Sequence, residues 1–269
     1  MPPFYSMTMD VDPKEAERLA EKLLRQVSGI LDRNQRSYAL GKKLKRLPPE
    51  MILEIMRIIA DKAQERIPLY QDGFRTVSDA RRLSIHVGYA RMSDVYTLAR
   101  RKDYQEVVRF MSSVPPARHA SDTDEPYEDV RVREITLGEK KSLARSRDRD
   151  FLNRILHDQH PAVIHNLLQN PYLTIKEVIK IASKRPTNQQ VLWIVYRNLR
   201  WINHYSVKKA LVNNPYCPPQ ISLSLLNFLL EQDLIEVAES QVLHPRLQEA
   251  AQDILKKKQT ELGGVEEDG

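Results

Sequence analysis

The chain has 269 residues, of which 41% are hydrophobic, 29% are charged and only 8 are glycine. This composition argues against disorder throughout and against a turn-rich β-sandwich, and it favours helices with solvated charged faces. The net charge of +6 suits an anionic partner (nucleic acid, anionic lipid or an acidic protein) without choosing among them.

The chain shows no sign of export or of a membrane span. The first ten residues lack the pattern of a signal peptide, and no apolar run approaches the roughly 20 residues that a bilayer requires. The single cysteine, Cys217, excludes an intrachain disulfide. We therefore expect a cytoplasmic protein.

The first predicted helix begins at Asp12, which suits an N-cap position and is followed by Pro13. Its apolar face consists of residues at three- and four-residue spacing: Leu19, Leu23, Leu24, Val27, Ile30 and Leu31. A second amphipathic helix is predicted from 49 to 66 and ends before Pro68. Between the two helices, the basic run 42–46 is interpreted as a solvated turn because it lacks the glycines of a phosphate-binding loop.

Three shorter helices are predicted at about 78–86, 93–100 and 103–111, which completes an N-terminal helical region of residues 1–114. Residues 115–135 are rich in proline, serine and acidic side chains and are predicted to form an acidic linker. Residues 259–269 are predicted to form a flexible acidic tail.

An internal repeat is the strongest pattern in the sequence. Residues 160–172 align without gaps on residues 204–216, and a partial third copy begins at His244. Each of the two full copies ends in Asn-Pro-Tyr, where we expect the helix to end, because the residue before proline leaves the α region and asparagine tolerates a left-handed conformation. Three capping boxes are predicted, at Thr136 with Glu139, Thr174 with Glu177 and Thr187 with Gln190.

These signals predict a three-helix unit formed by residues 161–169, 175–183 and 188–202, within a repeat domain of residues 136–258. In its Asn-Pro-Tyr corners and its helix spacing this domain resembles bacterial helical repeats of the HEAT and armadillo class. The resemblance implies an all-α protein with an α-solenoid in its C-terminal half, and it supplies no catalytic residues.

The sequence contains no pattern typical of a catalytic or metal site. His157, His160 and His165 are close in sequence, but their spacing does not suit one helical face, and His160 recurs at His204 and His244 as a structural position would. Nucleophile elbows, paired catalytic carboxylates and Cys/His patterns are absent. We therefore expect no enzyme activity, no metal and no cofactor.

One helical face is the candidate binding site. In the predicted helix 188–202, Trp193, Arg197, Arg200 and Trp201 lie opposite the apolar stripe, and these residue types are enriched at binding hot spots. The alternative is that the tryptophans fill the seam between repeats. A second basic cluster is expected to pair locally with Asp148 and Asp150; it comprises Arg145, Arg147, Arg149 and Arg154.

The sequence therefore predicts a non-enzymatic protein-binding or scaffold module with a protein partner. Nucleic-acid binding through the basic aromatic face is the alternative, supported by the charge and by the ability of aromatic rings to stack on bases. A third hypothesis is a DNA-processing enzyme similar to HEAT-like DNA glycosylases, which would need a carboxylate in its groove.

Overall fold

The computed structural model describes residues 11–65, 67–112, 115–119 and 134–263, and for residues 261–263 it describes the backbone only. These residues form seventeen helices and no strand. Contacts between Cα atoms divide the chain into two compact units, Met1–Ser113 and Val114–Gly269, here called the N-terminal and C-terminal units. The all-helical prediction is confirmed for the described residues.

The N-terminal unit contains seven helices: α1 (Pro13–Ser28), α2 (Arg33–Leu44), α3 (Pro49–Gln64), α4 (Pro68–Val77), α5 (Ala80–Val87), α6 (Tyr89–Arg101) and α7 (Gln105–Met111). Helix α3 is central, because it packs against α1, α4, α6 and α7. It is apolar on several sides, so Ile52, Ile55, Met56 and Ile59 are all buried, as their spacing predicts.

A buried carboxylate joins α3 to the α6–α7 turn. Glu54 accepts hydrogen bonds from Arg57 Nε (2.9 Å), Lys102 Nζ (3.2 Å) and Tyr104 Oη (2.9 Å). Burial alone would raise the pKa of Glu54, but these donors outweigh it and hold the pKa below its ordinary value. The charge is therefore retained and fully paired within the helical packing.

Two predictions for this unit are wrong in detail, whereas the predicted end of α3 before Pro68 is confirmed. Residues 42–44 of the predicted basic turn belong to α2. Helix α1 ends at Ser28, so Leu31 is 84% exposed and is not part of the core. The buried face of α1 includes Ala16 and Ala20 in its place.

The C-terminal unit contains ten helices: α8 (Leu137–Leu143), α9 (Arg149–Ile155), α10 (Pro161–Gln169), α11 (Ile175–Ser183), α12 (Gln189–Arg197), α13 (Leu199–Ile202), α14 (Tyr205–Val212), α15 (Pro219–Leu226), α16 (Glu231–Glu239) and α17 (Pro245–Gly263). The first two helices of the predicted repeat are confirmed as α10 and α11. The third is divided at Asn198, which has φ −83° and ψ 110° and whose side chain accepts a hydrogen bond from Arg200 N.

Two of the three predicted capping boxes are present. Thr136 with Glu139 and Thr174 with Glu177 make both reciprocal hydrogen bonds. The box at Thr187 is wrong, because Asn188 is the N-cap of α12 and accepts from Gln190 N. Thr187 is buried instead.

Nine of the ten helices pack in two series around one continuous apolar core, and the short α13 connects α12 to α14. The first series consists of α8, α10, α12, α15 and α17. In it α8 packs on α10, α10 on α12 and α15 on α17. A hydrogen bond between Ser224 Oγ and Tyr196 Oη (3.1 Å) joins α12 to α15. The second series consists of α9, α11, α14 and α16. In it α11 packs on α14, and two ion pairs make the other connections. Arg149 pairs with Glu177 between α9 and α11, and Lys209 pairs with Asp233 between α14 and α16. Each series alternates with the other along the chain.

The repeated asparagines join neighbouring helices of a series. Asn170 Nδ2 donates to the carbonyl oxygens of Ala144 (2.9 Å) and Ser146 (2.8 Å) at the C-terminal end of α8. Asn214 Nδ2 donates in the same way to Ala182 (2.7 Å) and Lys184 (3.1 Å) at the end of α11. Carbonyl groups at the C-terminal end of a helix have no intrahelical partner, so each asparagine supplies the missing hydrogen-bond donors for another helix.

The predicted left-handed asparagine is therefore not the basis of the corner. Asn170 has φ −67° and ψ 125°, and Asp103 is the one non-glycine residue with positive φ in the part of the chain that the structure describes. The Oδ1 atom of each asparagine accepts the backbone N–H two residues later, which shapes the turn locally.

Parts of the predicted linker and tail lie outside the described residues, namely 120–133 and 264–269. Where the linker is described, Arg118 N donates to Pro215 O (3.0 Å). Residues 259–263, predicted to be tail, belong to α17. No helix within the described ranges has the length and apolar character needed to cross a membrane.

Candidate partner-binding surface

Two of the four predicted binding residues are structural. Trp201 is 2% exposed, and its Nε1 donates to Leu168 O at 2.8 Å. Arg200 donates to the carbonyl oxygens of Asn170 (3.1 Å) and Pro171 (3.3 Å), and its guanidinium lies 4.2 Å from the Trp201 ring centroid. Trp201 and Arg200 therefore donate hydrogen bonds to the carbonyl oxygens at the C-terminal end of α10. The prediction that Trp201 lies on an exposed face is wrong, and the alternative that this tryptophan is a packing residue is correct.

Arg200 is nevertheless exposed, and the other two predicted residues are partly exposed. Trp193 and Arg197 are half-buried on α12, and the Arg197 guanidinium lies 4.6 Å from the Trp193 ring centroid. The Trp193 ring also approaches Tyr196 edge-on, with centroids 5.7 Å apart, and it packs against the hydrophobic core. The four residues do not share one face, because the helix is interrupted at Asn198.

A cleft of about 390 Å³ lies between α8, α10 and α12. Its apolar lining comes from Pro161, Ala162 and Ile194, of which Ile194 directly follows Trp193 on α12. Its polar lining comes from Lys141, Arg145, His165 and Asn166. The cleft therefore combines an apolar floor with a basic rim.

Asn166 organises the basic rim. Its Oδ1 accepts from Arg145 Nη2 (3.1 Å), and its Nδ2 donates to Lys141 O (3.2 Å), so one buried amide links α10 to the end of α8 and orients Arg145. The side chains of Lys141, Arg145 and His165 are exposed. Solvent-exposed cations beside apolar atoms attract a ligand that is both anionic and apolar.

The sequence from 160 to 230, which supplies α10 and α12 of the cleft, is strongly basic. Residues 160–230 contain eight lysines and arginines and a single acidic residue, Glu177. Glu177 is buried and is held by Thr174 and Arg149. Sequence reasoning missed this charge segregation, which a count of acidic residues along the chain would have detected.

In the second basic cluster, Arg147 and Arg149 contact the corner between α10 and α11 and not the neighbouring Asp148 and Asp150. Arg149 bonds to Tyr172 O (2.9 Å) and to Glu177 (2.6 Å), and Arg147 lies over the Tyr172 ring at 5.3 Å. Asp148 instead caps α9 by accepting from Asp150 N and Phe151 N. These arginines thus fasten α9 to the corner between α10 and α11.

Two of the described histidines and the cysteine have structural explanations. His160 and His244 act as N-caps, with Nδ1 accepting from Ala162 N (3.2 Å) and Arg246 N (3.1 Å) respectively. No group of three or more potential metal ligands occurs among the described residues. Burial raises the pKa of Cys217 to about 12, so its thiol stays protonated at neutral pH.

Comparisons with protein-family models, with curated proteins and with solved structures find no match to this chain.

Proposed function

We propose that the C-terminal unit is a non-enzymatic protein-binding module, an α-solenoid of the HEAT and armadillo type that holds an acidic segment of a partner protein in the cleft between α8, α10 and α12. The observation that carries the proposal is the cleft itself, in which Lys141, Arg145 and His165 surround an apolar floor. Its volume is within the range of roughly 300–1,000 Å³ typical of ligand sites.

The packing supports the solenoid part of the proposal. Two series of short helices surround one continuous core, and successive members of a series contact each other, as an arrangement of stacked repeats would require. The Asn170 and Asn214 bonds repeat the same connection at two levels of the stack. Helical repeat proteins of this kind use their outer surfaces to bind extended partners.

The chemistry of the rim selects an acidic partner. A carboxylate side chain could bind Lys141 and Arg145 while a neighbouring apolar side chain packs against Ile194, and Trp193 extends the apolar surface along α12. Because residues 160–230 have only the buried Glu177 as an acidic residue, nothing in that stretch of sequence repels an incoming carboxylate. The described lining of the cleft also contains no carboxylate, which a DNA glycosylase mechanism would need.

The test is binding of fluorescent peptides in which leucine alternates with glutamate, with peptides carrying lysine for glutamate as the comparison. The double variant Lys141→Glu/Arg145→Glu should weaken binding of the acidic peptide about tenfold, which corresponds to about 1.4 kcal/mol. The matched control is Lys176→Glu/Lys180→Glu, because these exposed lysines on α11 give the same change in charge away from the cleft.

Equal losses in the two double variants would contradict the proposal, since net charge alone would then explain the binding. A Trp193→Ala variant should also weaken binding of the peptide, and because Trp193 packs against the core, binding is compared at a temperature at which both proteins are folded. Binding that disappears between low and physiological salt, with no effect of Trp193→Ala, would indicate a purely electrostatic surface instead of an anchored peptide site.

A further inference from the structure

The N-terminal unit carries a second basic surface, formed where α2 packs on α5. The two helices approach closely at Gly41, where an added Cβ would lie only 2.6 Å from His86 Cβ. The Tyr38 ring meets the His86 ring edge-on, with centroids 5.4 Å apart. Arg91, near the start of α6, donates to the carbonyl oxygens of Lys45 (2.7 Å) and Leu47 (2.6 Å) and so holds the α5–α6 turn against the end of α2.

The charge on α2, on α5 and on the start of α6 before the exposed Asp94 has one sign. Residues 33–48 and 80–93 together contain nine lysines and arginines and no acidic residue. The two acidic residues that immediately precede these segments are engaged: Asp32 accepts from Gln35 N at 2.8 Å, and the buried Asp79 pairs with Arg82. Some of the nine cations have structural roles, as Arg36 does in pairing with Asp72. Four of them have exposed side chains: Lys42, Lys45, Arg46 and Arg81.

Aromatic rings are exposed on the same surface. Tyr38 is 52% exposed and Tyr89, which follows the α5–α6 turn at Gly88, is 67% exposed. Lys42 Nζ lies 5.7 Å from the Tyr38 ring centroid, so a cation sits directly beside a ring. Ile85, 60% exposed, is the large aliphatic side chain that α5 adds to this surface.

We propose that this α2–α5 surface binds single-stranded nucleic acid, with bases stacking on Tyr38 and Tyr89 and phosphates contacting Lys42, Lys45, Arg46 and Arg81. Exposed rings between cations are the elements of sequence-tolerant single-strand binding, since every base has a flat face and every nucleotide a phosphate. An anionic membrane fits less well, because insertion depends on a group of large aliphatic side chains and this surface presents mainly tyrosines and long cations.

The proposal is tested with the full chain and a labelled oligothymidine of about 16 nucleotides, long enough for one single-strand site. Tyr38→Ala/Tyr89→Ala should weaken binding at least tenfold at unchanged melting temperature, and Tyr38→Phe/Tyr89→Phe should restore it because the rings remain. Lys42→Gln/Arg46→Gln should lower the slope of log affinity against log salt by about 0.7 per lost phosphate contact.

The matched control is Lys14→Gln/Lys22→Gln, which removes two exposed charges from α1 and should leave the slope unchanged. The cleft variant Lys141→Glu/Arg145→Glu should also leave oligothymidine binding intact, so this proposal and the one for the C-terminal unit fail separately. Three results would each overturn the proposal. The α1 control could lose as much slope as Lys42→Gln/Arg46→Gln, or the Tyr38→Ala/Tyr89→Ala variant could keep its binding. The third is a protein that sediments with phosphatidylserine vesicles but does not bind oligothymidine.

Discussion

At the scale of single residues, the repeated asparagines have a role that their local sequence does not indicate. Proline after asparagine does end a helix, but the geometry that Asn170 and Asn214 share comes from their side chains. Each amide donates two hydrogen bonds to carbonyls that lie at least 24 residues earlier in the chain. The repeated Asn-Pro-Tyr therefore marks a connection between helices as well as a turn.

This role predicts the cost of losing the amide. Asn214→Ala should lower the free energy of unfolding by about 1–3 kcal/mol, because the buried carbonyl oxygen of Ala182 and the partly buried one of Lys184 lose their donor. The measurement is urea unfolding followed by circular dichroism. Asn203→Ala is the matched control, since Asn203 is exposed and lies just after α13. Asn214→Asp should be at least as damaging, because a carboxylate would face those carbonyls, and a stable Asn214→Asp variant would contradict the assignment.

At the scale of elements, the N-terminal end of α11 is stabilised by one carboxylate with three kinds of partner. Glu177 accepts from Thr174 N (2.7 Å) and Thr174 Oγ1 (2.8 Å) and pairs with Arg149 of α9. Burial alone would raise the pKa of Glu177, but the bonds from Thr174 and the charge of Arg149 outweigh it, so the pKa lies below its ordinary value. A carboxylate whose pKa is lowered by folding stabilises the folded state only while it is ionised.

The sign of the pH dependence follows from this shift. The stabilisation is complete above the unfolded pKa of about 4.3 and is lost as the pH falls through the lower folded pKa. At neutral pH, Glu177→Gln should cost about 1–3 kcal/mol, and the difference from the parent protein should shrink as the pH falls below about 4. Urea unfolding across this range provides the measurement, with Glu239→Gln, an exposed carboxylate on α16, as the control. A difference that stays constant with pH would contradict the role of the charge.

At the scale of the whole molecule, each unit has its own buried core. The core of the C-terminal unit extends from Ala144 to Ile254, and the core of the N-terminal unit is centred on α3. A compact unit with a separate core has what it needs to fold by itself. The division after Ser113 therefore defines two fragments for separate study.

We expect the fragments 1–113 and 114–269, produced separately, each to be helical and to melt cooperatively. Cys217 provides a second probe, because burial and a pKa of about 12 protect its thiol from disulfide reagents until the C-terminal unit unfolds. Its protection in the fragment 114–269 should equal its protection in the intact chain. Rapid modification of the folded fragment, or melting without cooperativity, would show that the two units depend on each other.

The sequence by itself determined the helical class and the ends of several helices. Pro161 at the start of α10 and the Thr174–Glu177 box at the start of α11 act through atoms within four residues of each other, so their effects can be predicted locally. The charge segregation in residues 160–230 is likewise a property of the sequence, although its bearing on the cleft is not. Local interactions were also sufficient to place the apolar stripe of α3.

Only the tertiary structure decided which residues are available to a partner. Trp201 and Trp193 are eight residues apart in one predicted helix, yet Trp201 is buried because the break at Asn198 turns it toward the carbonyl of Leu168, 33 residues earlier. The cleft brings together Arg145, His165 and Ile194 from three helices, and no spacing along the chain encodes their proximity. Whether a side chain is buried depends on residues that are distant in sequence and meet only in the packed fold. Periodicity therefore predicted one buried face for each helix, but it did not predict which residues would cover the opposite face of that helix.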